Sequence, residues 1–165
     1  MKTIIQGSNL MLFLDSTMKS IPLATSHTLS ISAETTDVSN KDVADGKWKA
    51  EQIKQFSWEA TTDNLYAADA FDELFAAMTA GTPINAFFGL KGAETPFVDY
   101  WHLDTTLPFY TGQVIITSLQ ANAKNGENAT FSATFTGVGE LHYNDPDQVT
   151  GVHDEANQGG GGGGQ

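Results

Sequence analysis

The chain contains no cysteine and no arginine, and its eight basic residues are all lysine. The lack of cysteine excludes disulfides, thiolate catalysis and cysteine-ligated metals. Twenty acidic residues oppose the lysines, which gives a formal net charge of −12. Because nucleic-acid binding requires clustered Lys and Arg to displace counterions from phosphates, the chain is poorly suited to gripping DNA or RNA. It could still tolerate a nucleic acid that passes close to it.

The sequence also lacks an apolar run of the ~20 residues that a membrane-spanning helix requires. It shows no basic segment followed by an apolar run and a cleavage site, so we expect no secretion by a signal peptide. Its 165 residues suit one domain, and 40% hydrophobic residues are too many for a disordered chain. We predict a β domain over residues 1–142 and an acidic, glycine-rich, flexible C-terminal tail over residues 143–165.

Alternation of apolar and polar residues predicts β-strands in several segments. In Ala129–Leu141, phenylalanine and alanine alternate with threonine and serine, which gives one packed face and one solvated face. Asn125-Gly126, a strong hairpin signal, joins this segment to a preceding strand at Gly112–Ala123. The other predicted strands are Ser8–Asp15, Thr25–Ala33, Ile53–Thr62, Ile84–Lys91 and Phe97–Leu103.

One helix is predicted among the strands, over Ala67–Ala80, because apolar residues recur there at helical spacing and Gly81 and Pro83 follow as stop signals. The fold class is therefore mostly β, with antiparallel sheets in a sandwich-like or barrel-like arrangement and one packed helix. The polar segment Glu34–Glu51 is predicted to be a long loop between strands 2 and 3.

Catalytic and metal-binding patterns are weak in this sequence. Asp37, Asp42 and Asp45-Gly46 suggest a calcium loop only superficially, because the spacing of oxygen ligands that such a loop needs is missing. His27 falls on the apolar side of its strand, which favours a packing role. His102 and Asp104 could form a base and its orienting acid, but no serine nucleophile motif accompanies them. We predict no enzyme, no cofactor and no metal site.

The tryptophans leave a binding function open. Trp58 shares the side of its strand that carries Phe56, which predicts a place in the core. Trp48 lies in the polar segment and Trp101 follows Tyr100, so either could contact a ligand. A β-sandwich carbohydrate-binding module is therefore an alternative, and it predicts a monomer whose exposed tryptophan binds sugars.

Several segments, taken in order, resemble the tail tube (major tail) proteins of long-tailed bacteriophages, in the TP901-1-like branch. They are ATSHTLSISAETTDVSNKD at Ala24–Asp42, FSWEATTDNLY at Phe56–Tyr66, FDELFAAMTAGTPI at Phe71–Ile84 and GQVIITSLQANAKNGENATFSATFTGVGEL at Gly112–Leu141. The resemblance covers most of the chain, from Asn9 to Leu141, and says nothing of the residues that follow.

This resemblance implies a tail-tube-like fold and a structural subunit of the virion tail, assembled in the bacterial host cytoplasm. Six subunits would form a ring, and rings would stack into a tube through which DNA passes without specific binding. The implied partners are further copies of the chain and the tape measure, tail terminator and distal tail proteins. An alternative with the same general fold is that the chain is the inner-tube protein of a contractile injection system.

A tube requires a polar inner wall, and the serine and threonine sides of three predicted strands supply one. A neutral or acidic wall would let DNA slide, whereas lysines would bind its phosphates. The candidate lumen-facing residues are Ser30, Ser32, Ser57, Glu59, Thr61, Thr130, Ser132, Thr134 and Thr136.

The polar segment Glu34–Glu51 also holds three of the eight lysines. In an acidic subunit, a basic loop could dock on the acidic surface of the next ring. The candidate residues for this contact between rings are Lys41, Asp42, Lys47, Trp48 and Lys49.

Overall fold

The computed structural model describes residues 3–42, 47–92 and 100–148. Its strands are β1 (Leu10–Leu14), β2 (Lys19–Ser20), β3 (Ala24–Asp37), β4 (Glu51–Leu65), β5 (Ile84–Leu90), β6 (Phe109–Asn122) and β7 (Thr130–Asn144). One α-helix, α1 (Ala68–Ala80), follows β4, and short 3₁₀ turns lie at Gly7–Asn9 and Pro146–Gln148. The predicted mostly β fold with one helix is confirmed. In the ranges described, no helix is long and apolar enough to cross a membrane.

The seven strands form one antiparallel sheet in the order β2-β1-β5-β6-β7-β4-β3. The sheet folds over, because residues from both of its halves share one core. Leu12 of β1 and Ala86 of β5 belong to the same buried cluster as Trp58 of β4 and Phe135 of β7. This closure gives the sandwich-like arrangement that alternating strands favour.

Helix α1 covers part of this core through Ala70 and Leu74, which are buried. Phe71 also contacts the sheet, with its ring 5.6 Å from that of Phe131 in an edge-on arrangement. The helix ends at Gly81, whose positive φ of 68° is readily adopted by glycine. Phe75 follows the predicted apolar spacing but is exposed, so the buried stripe is narrower than the sequence indicates.

The loop predicted over Glu34–Glu51 is longer than the connection that the structure shows, so this prediction is corrected. β3 continues through Asp37 and β4 begins at Glu51, and these two residues are paired across the hairpin. Both faces of this part of the hairpin are exposed, so no apolar alternation marked it as strand. The connection therefore spans residues 38–50. Because β2 precedes β3, it joins the third and fourth strands.

The predicted strand Phe97–Leu103 is not observed as such. Residues 97–99 lie outside the described ranges, and Trp101 is not in a strand. Only His102 and Leu103 form isolated bridges, to Lys19 and Lys91 respectively. β7 is longer than predicted and runs to Asn144.

Candidate functional site: a polar sheet face, two open edges and a basic tip

One face of the sheet is polar across four neighbouring strands, β6, β7, β4 and β3. Residues directly opposite one another in paired strands project to the same face. The register therefore places side chains of the four strands in rows. The rows are Ser30–Glu59–Thr136–Ile115, Thr28–Thr61–Thr134–Ser118 and Ser26–Asp63–Ser132–Gln120. Ile115 is the one apolar residue in these rows.

All nine residues predicted to face a lumen lie on this polar face. Ser32 lies opposite Ser57, and Thr130 lies opposite Leu65 and Asn122. The contribution of β6 to this face is not evident from the sequence, because a bulge between Ile116 and Ser118 interrupts its alternation. Ser26 and Thr28 lie on the predicted serine and threonine side of β3, although they are not among the nine candidates. The polar residues of this face that the sequence did not indicate are Asp63, Thr117, Ser118, Gln120 and Asn122.

The polar face carries hydroxyl groups and a few carboxylates. The hydroxyls of Thr117 and Thr136 are 2.9 Å apart, and the Ser26 hydroxyl donates to the Asp63 carboxylate over 3.0 Å. The strand segments 26–32, 57–63, 117–122 and 130–136 contain no lysine or arginine. Lys54 lies beyond them and is 3.2 Å from the Glu34 carboxylate. The face is therefore neutral to acidic.

The opposite face of the same strands packs into the core. Trp58 is buried, as predicted, and its indole Nε1 donates a hydrogen bond to the Gly139 carbonyl over 3.0 Å. His27 is half-buried opposite Thr62, and burial lowers its pKa. Its place opposite the buried Thr62, on the core side of β3, agrees with the predicted packing role. Among the described residues, neither ring nitrogen of His27 has a hydrogen-bond partner.

Both outer strands of this four-stranded part have an open edge. β3 is the last strand of the sheet and pairs with β4 alone. β6 pairs with β5 only between Phe109 and Val114. Residues 115–122 of β6 thus have a strand on one side only within the described part of the chain. Exposed backbone N–H and C=O groups at such edges are templates for pairing with another chain.

The β3–β4 connection forms a basic tip. We use this name for residues 38–42 and 47–50, since residues 43–46 lie outside the described ranges. Lys41, Lys47, Trp48 and Lys49 line one shallow surface, and the Trp48 side chain is 76% exposed. Lys49 forms an ion pair with Glu51, which raises the Lys49 pKa.

Hydrogen bonds shape the base of the basic tip. Val38 donates to the Ala50 carbonyl over 2.9 Å, and Ser39 accepts a hydrogen bond from the Ala50 N–H. Asp42, also predicted to contact the next ring, donates its backbone N–H to the Asn40 side chain over 2.9 Å. The structure therefore brings the five predicted tip residues to one end of the β3–β4 hairpin.

An exposed apolar groove runs beside this hairpin. Ile31 and Phe56 line it and are 57% and 69% exposed. Tyr110 and Tyr143 also line it, with ring centroids 5.2 Å apart. Phe56 shares its strand side with Trp58 but lies above the core, where β7 no longer pairs with β4.

The alternative sites are dispersed in the structure. His102 Nδ1 is 3.1 Å from the Thr17 carbonyl, whereas Asp104 accepts hydrogen bonds from Thr106, which lower the Asp104 pKa. The Trp101 ring is covered by the Lys91 ammonium, 4.0 Å from its centroid. Across the described ranges, no cluster of His, Asp or Glu is arranged to hold a metal ion.

Comparison with solved structures relates this fold to tail assemblies. A chain of the native gene transfer agent virion superposes with a TM-score of 0.66 at 17% identity, covering 86% of this chain and 99% of that one. The SPP1 tail tube protein gives a TM-score of 0.62 at 10% identity, over 92% and 88% of the two chains. A chain of the anti-feeding prophage baseplate gives 0.54 at 8% identity, over 88% and 99%.

The fold is thus that of tail tube subunits. No curated protein sequence matches the chain, but the family model for phage tail tube proteins matches residues 13–143. The chain belongs to the phage tail tube protein family and is a structural component of the virion tail.

Proposed function

We propose that six copies of this chain form a ring, that rings stack head to tail into a hollow tube, and that DNA leaves the virion through its bore. The ring number is the one implied by the family resemblance. The observation that carries the proposal is the four-stranded ladder β6-β7-β4-β3, which combines one polar face with an open edge on each side.

The two open edges supply a route to ring closure. β3 of one subunit would pair with residues 115–122 of β6 in its neighbour, and repetition around the ring would join the ladders into one barrel. Such closure removes the exposed edges, which are otherwise an aggregation hazard. A barrel with many strands also leaves room for an aqueous channel.

The polar face would line the bore. Its hydroxyl groups hydrogen-bond water, and the carboxylates of Glu59 and Asp63 repel the phosphates of DNA. Because the wall segments contain no lysine or arginine, few cation–phosphate contacts form and DNA can slide. The chain would act in transport of DNA without binding it specifically and without catalysing a reaction.

The basic tip would join successive rings. It carries three lysines on a subunit with a net charge of −12, so charge complementarity favours its contact with the next copy. The predicted division into a β domain, 1–142, and an acidic glycine-rich tail, 143–165, remains a proposal. The tape measure, tail terminator and distal tail proteins are the further proposed partners.

Electron microscopy of the purified chain over a concentration series, with light scattering for mass, tests this function. We expect hollow tubes or six-membered rings. A chain whose residues 38–50 are replaced by Asn-Gly should keep the β3–β4 hairpin and its circular dichroism spectrum but fail to elongate. Normal tubes from that variant would show that the basic tip does not join rings.

A further inference from the structure

A second surface of the subunit is an apolar cavity beside helix α1. It has a volume of about 260 Å³ and lies between the helix and the segment that connects β1 to β3. Engineered cavities of about 150 Å³ hold a benzene ring, so this one has room for a bicyclic aromatic ring. The apolar lining residues are Leu14, Ile21, Pro22, Ala70, Leu74, Ala77 and Ile84.

The rim of this cavity carries charged side chains. Asp15 and Glu73 are exposed carboxylates at the rim, and Lys19 is 3.8 Å from Glu73. The Lys19 ammonium also lies 5.5 Å from the centroid of the Tyr100 ring. The rim therefore has one more negative charge than positive, above an apolar floor.

The basic tip has the complementary composition. Trp48 is a large aromatic side chain that is 76% exposed and lies between Lys47 and Lys49. An exposed tryptophan is a costly surface residue that proteins commonly use as an anchor in interfaces. Its two lysine neighbours suit a rim on which carboxylates predominate.

The basic tip and the helix start lie at opposite ends of the subunit. β4 begins at Glu51, beside the tip, and ends at Leu65, three residues before α1. A strand of this length spans roughly 45–50 Å at about 3.3 Å per residue. Trp48 therefore cannot reach the cavity of its own subunit, whereas head-to-tail stacking brings the tip of one copy to the helix end of the next.

We propose that Trp48 of one subunit inserts into the α1 cavity of a subunit in the adjacent ring, with Lys47 and Lys49 placed at the Asp15–Glu73 rim. This inference rests on the proposed stacking of rings. It identifies the surface that receives the basic tip: the α1 cavity of a second copy of this chain. Each ring then presents Trp48 at one end and the cavity at the other, so growth continues in one direction.

Crosslinking tests the contact directly, because the chain contains no cysteine. The double variant Lys47→Cys/Glu73→Cys keeps Trp48 and the cavity floor intact. Assembled tubes of this variant should form crosslinked dimers and longer ladders with a short bis-maleimide. The control Lys47→Cys/Phe75→Cys places the second cysteine on the exposed side of α1, about 200° around the helix axis from Glu73. Phe75 does not line the cavity, and this control should crosslink at least tenfold less.

Filling the cavity tests its role in assembly. Ala77→Phe places a ring where Trp48 would insert, and the control Ala76→Phe adds the same ring on the exposed side of α1. We expect the concentration needed for tube growth to rise at least tenfold for Ala77→Phe and to stay unchanged for the control. Circular dichroism and thermal melting identify any variant that fails to fold.

The outcomes separate the two proposals. Normal tubes from Ala77→Phe, or equal crosslinking at positions 73 and 75, would overturn the cavity contact and leave the tube function standing. Crosslinking of Phe97→Cys to Ala77→Cys within the monomer would assign the cavity to the chain's own segment 93–99 and also overturn it. Failure of the unmodified chain to form tubes in any condition would overturn the proposed function itself.

Discussion

The indole of Trp58 lies directly against the backbone of Gly137, so that a Cβ at position 137 would overlap the ring. Pairing of β4 with β7 stops beside this contact, at Glu59 and Thr136. Beyond it β7 pairs only with β6, and β4 with β3. The Trp58–Gly137 contact thus lies where the pairing of β4 with β7 ends. Beyond it, the β3–β4 hairpin that carries the basic tip extends away from the core.

Gly137→Ala should destabilise the monomer. The added methyl group cannot be accommodated without moving the buried indole, and overpacking of this kind costs about 1–3 kcal/mol. Denaturant unfolding measures the change. Gly7→Ala is the control, because a Cβ at Gly7 meets no atom within 4 Å, and it should leave the free energy of unfolding nearly unchanged.

His27 should make the fold less stable as the pH falls below its ordinary pKa of 6.5. Burial lowers the pKa of His27 in the folded chain, so the unfolded chain takes up the proton first. The neutral ring therefore contributes stability above pH 6.5 that is lost as the pH falls through the folded pKa. His27→Leu should show a smaller loss of unfolding free energy between pH 7 and pH 5. An identical pH dependence would contradict this role.

Substitution of Phe131 should lower the stability of the monomer, whereas substitution of Phe56 should weaken tube formation. Phe131→Ala removes a ring that is 1% exposed and should cost about 3–5 kcal/mol. Phe56→Ser changes a ring in the exposed groove and should alter the monomer's stability by less than about 0.5 kcal/mol. We expect it to weaken tube formation, because an exposed apolar groove marks a contact surface. Tubes formed at the usual concentration would show that Phe56 stays uncovered.

A lysine on the polar face should make assembled tubes bind DNA. Thr61→Lys would introduce six cations per proposed ring, and each phosphate contact adds affinity that falls with salt. Binding of labelled DNA to preformed tubes at 50 mM and 200 mM salt measures this. Thr79→Lys adds the same charge on the exposed side of α1. Equal DNA binding by the two variants would argue against a lumen lined by the polar face.

The alternation of single strands made most of the fold predictable. In β4 and β7, Trp58, Phe131 and Phe135 are buried as the pattern predicts. The extension of β3 to Asp37 could not be predicted, because that hairpin is exposed on both faces. The contribution of β6 to the polar face was hidden by the bulge near Thr117, which shifts the alternation by one residue.

Some of the candidate surfaces could likewise be predicted from the sequence, and one could not. Local sequence is enough to predict nine of the polar residues of the face, since each lies on one side of a recognisable strand. It is also enough to single out the tip, where lysines surround Trp48. The cavity beside α1 could not be predicted, because Leu14, Leu74 and Ile84 come together only through the tertiary packing of three elements.

The most direct test of the account is a cryo-electron microscopy reconstruction of tubes assembled from the purified chain. We predict that Thr61 and Thr134 face the bore and that β3 pairs with residues 115–122 of β6 in the neighbouring subunit. A tube with those threonines on its outer surface, or a ring closed without this strand pairing, would contradict the account.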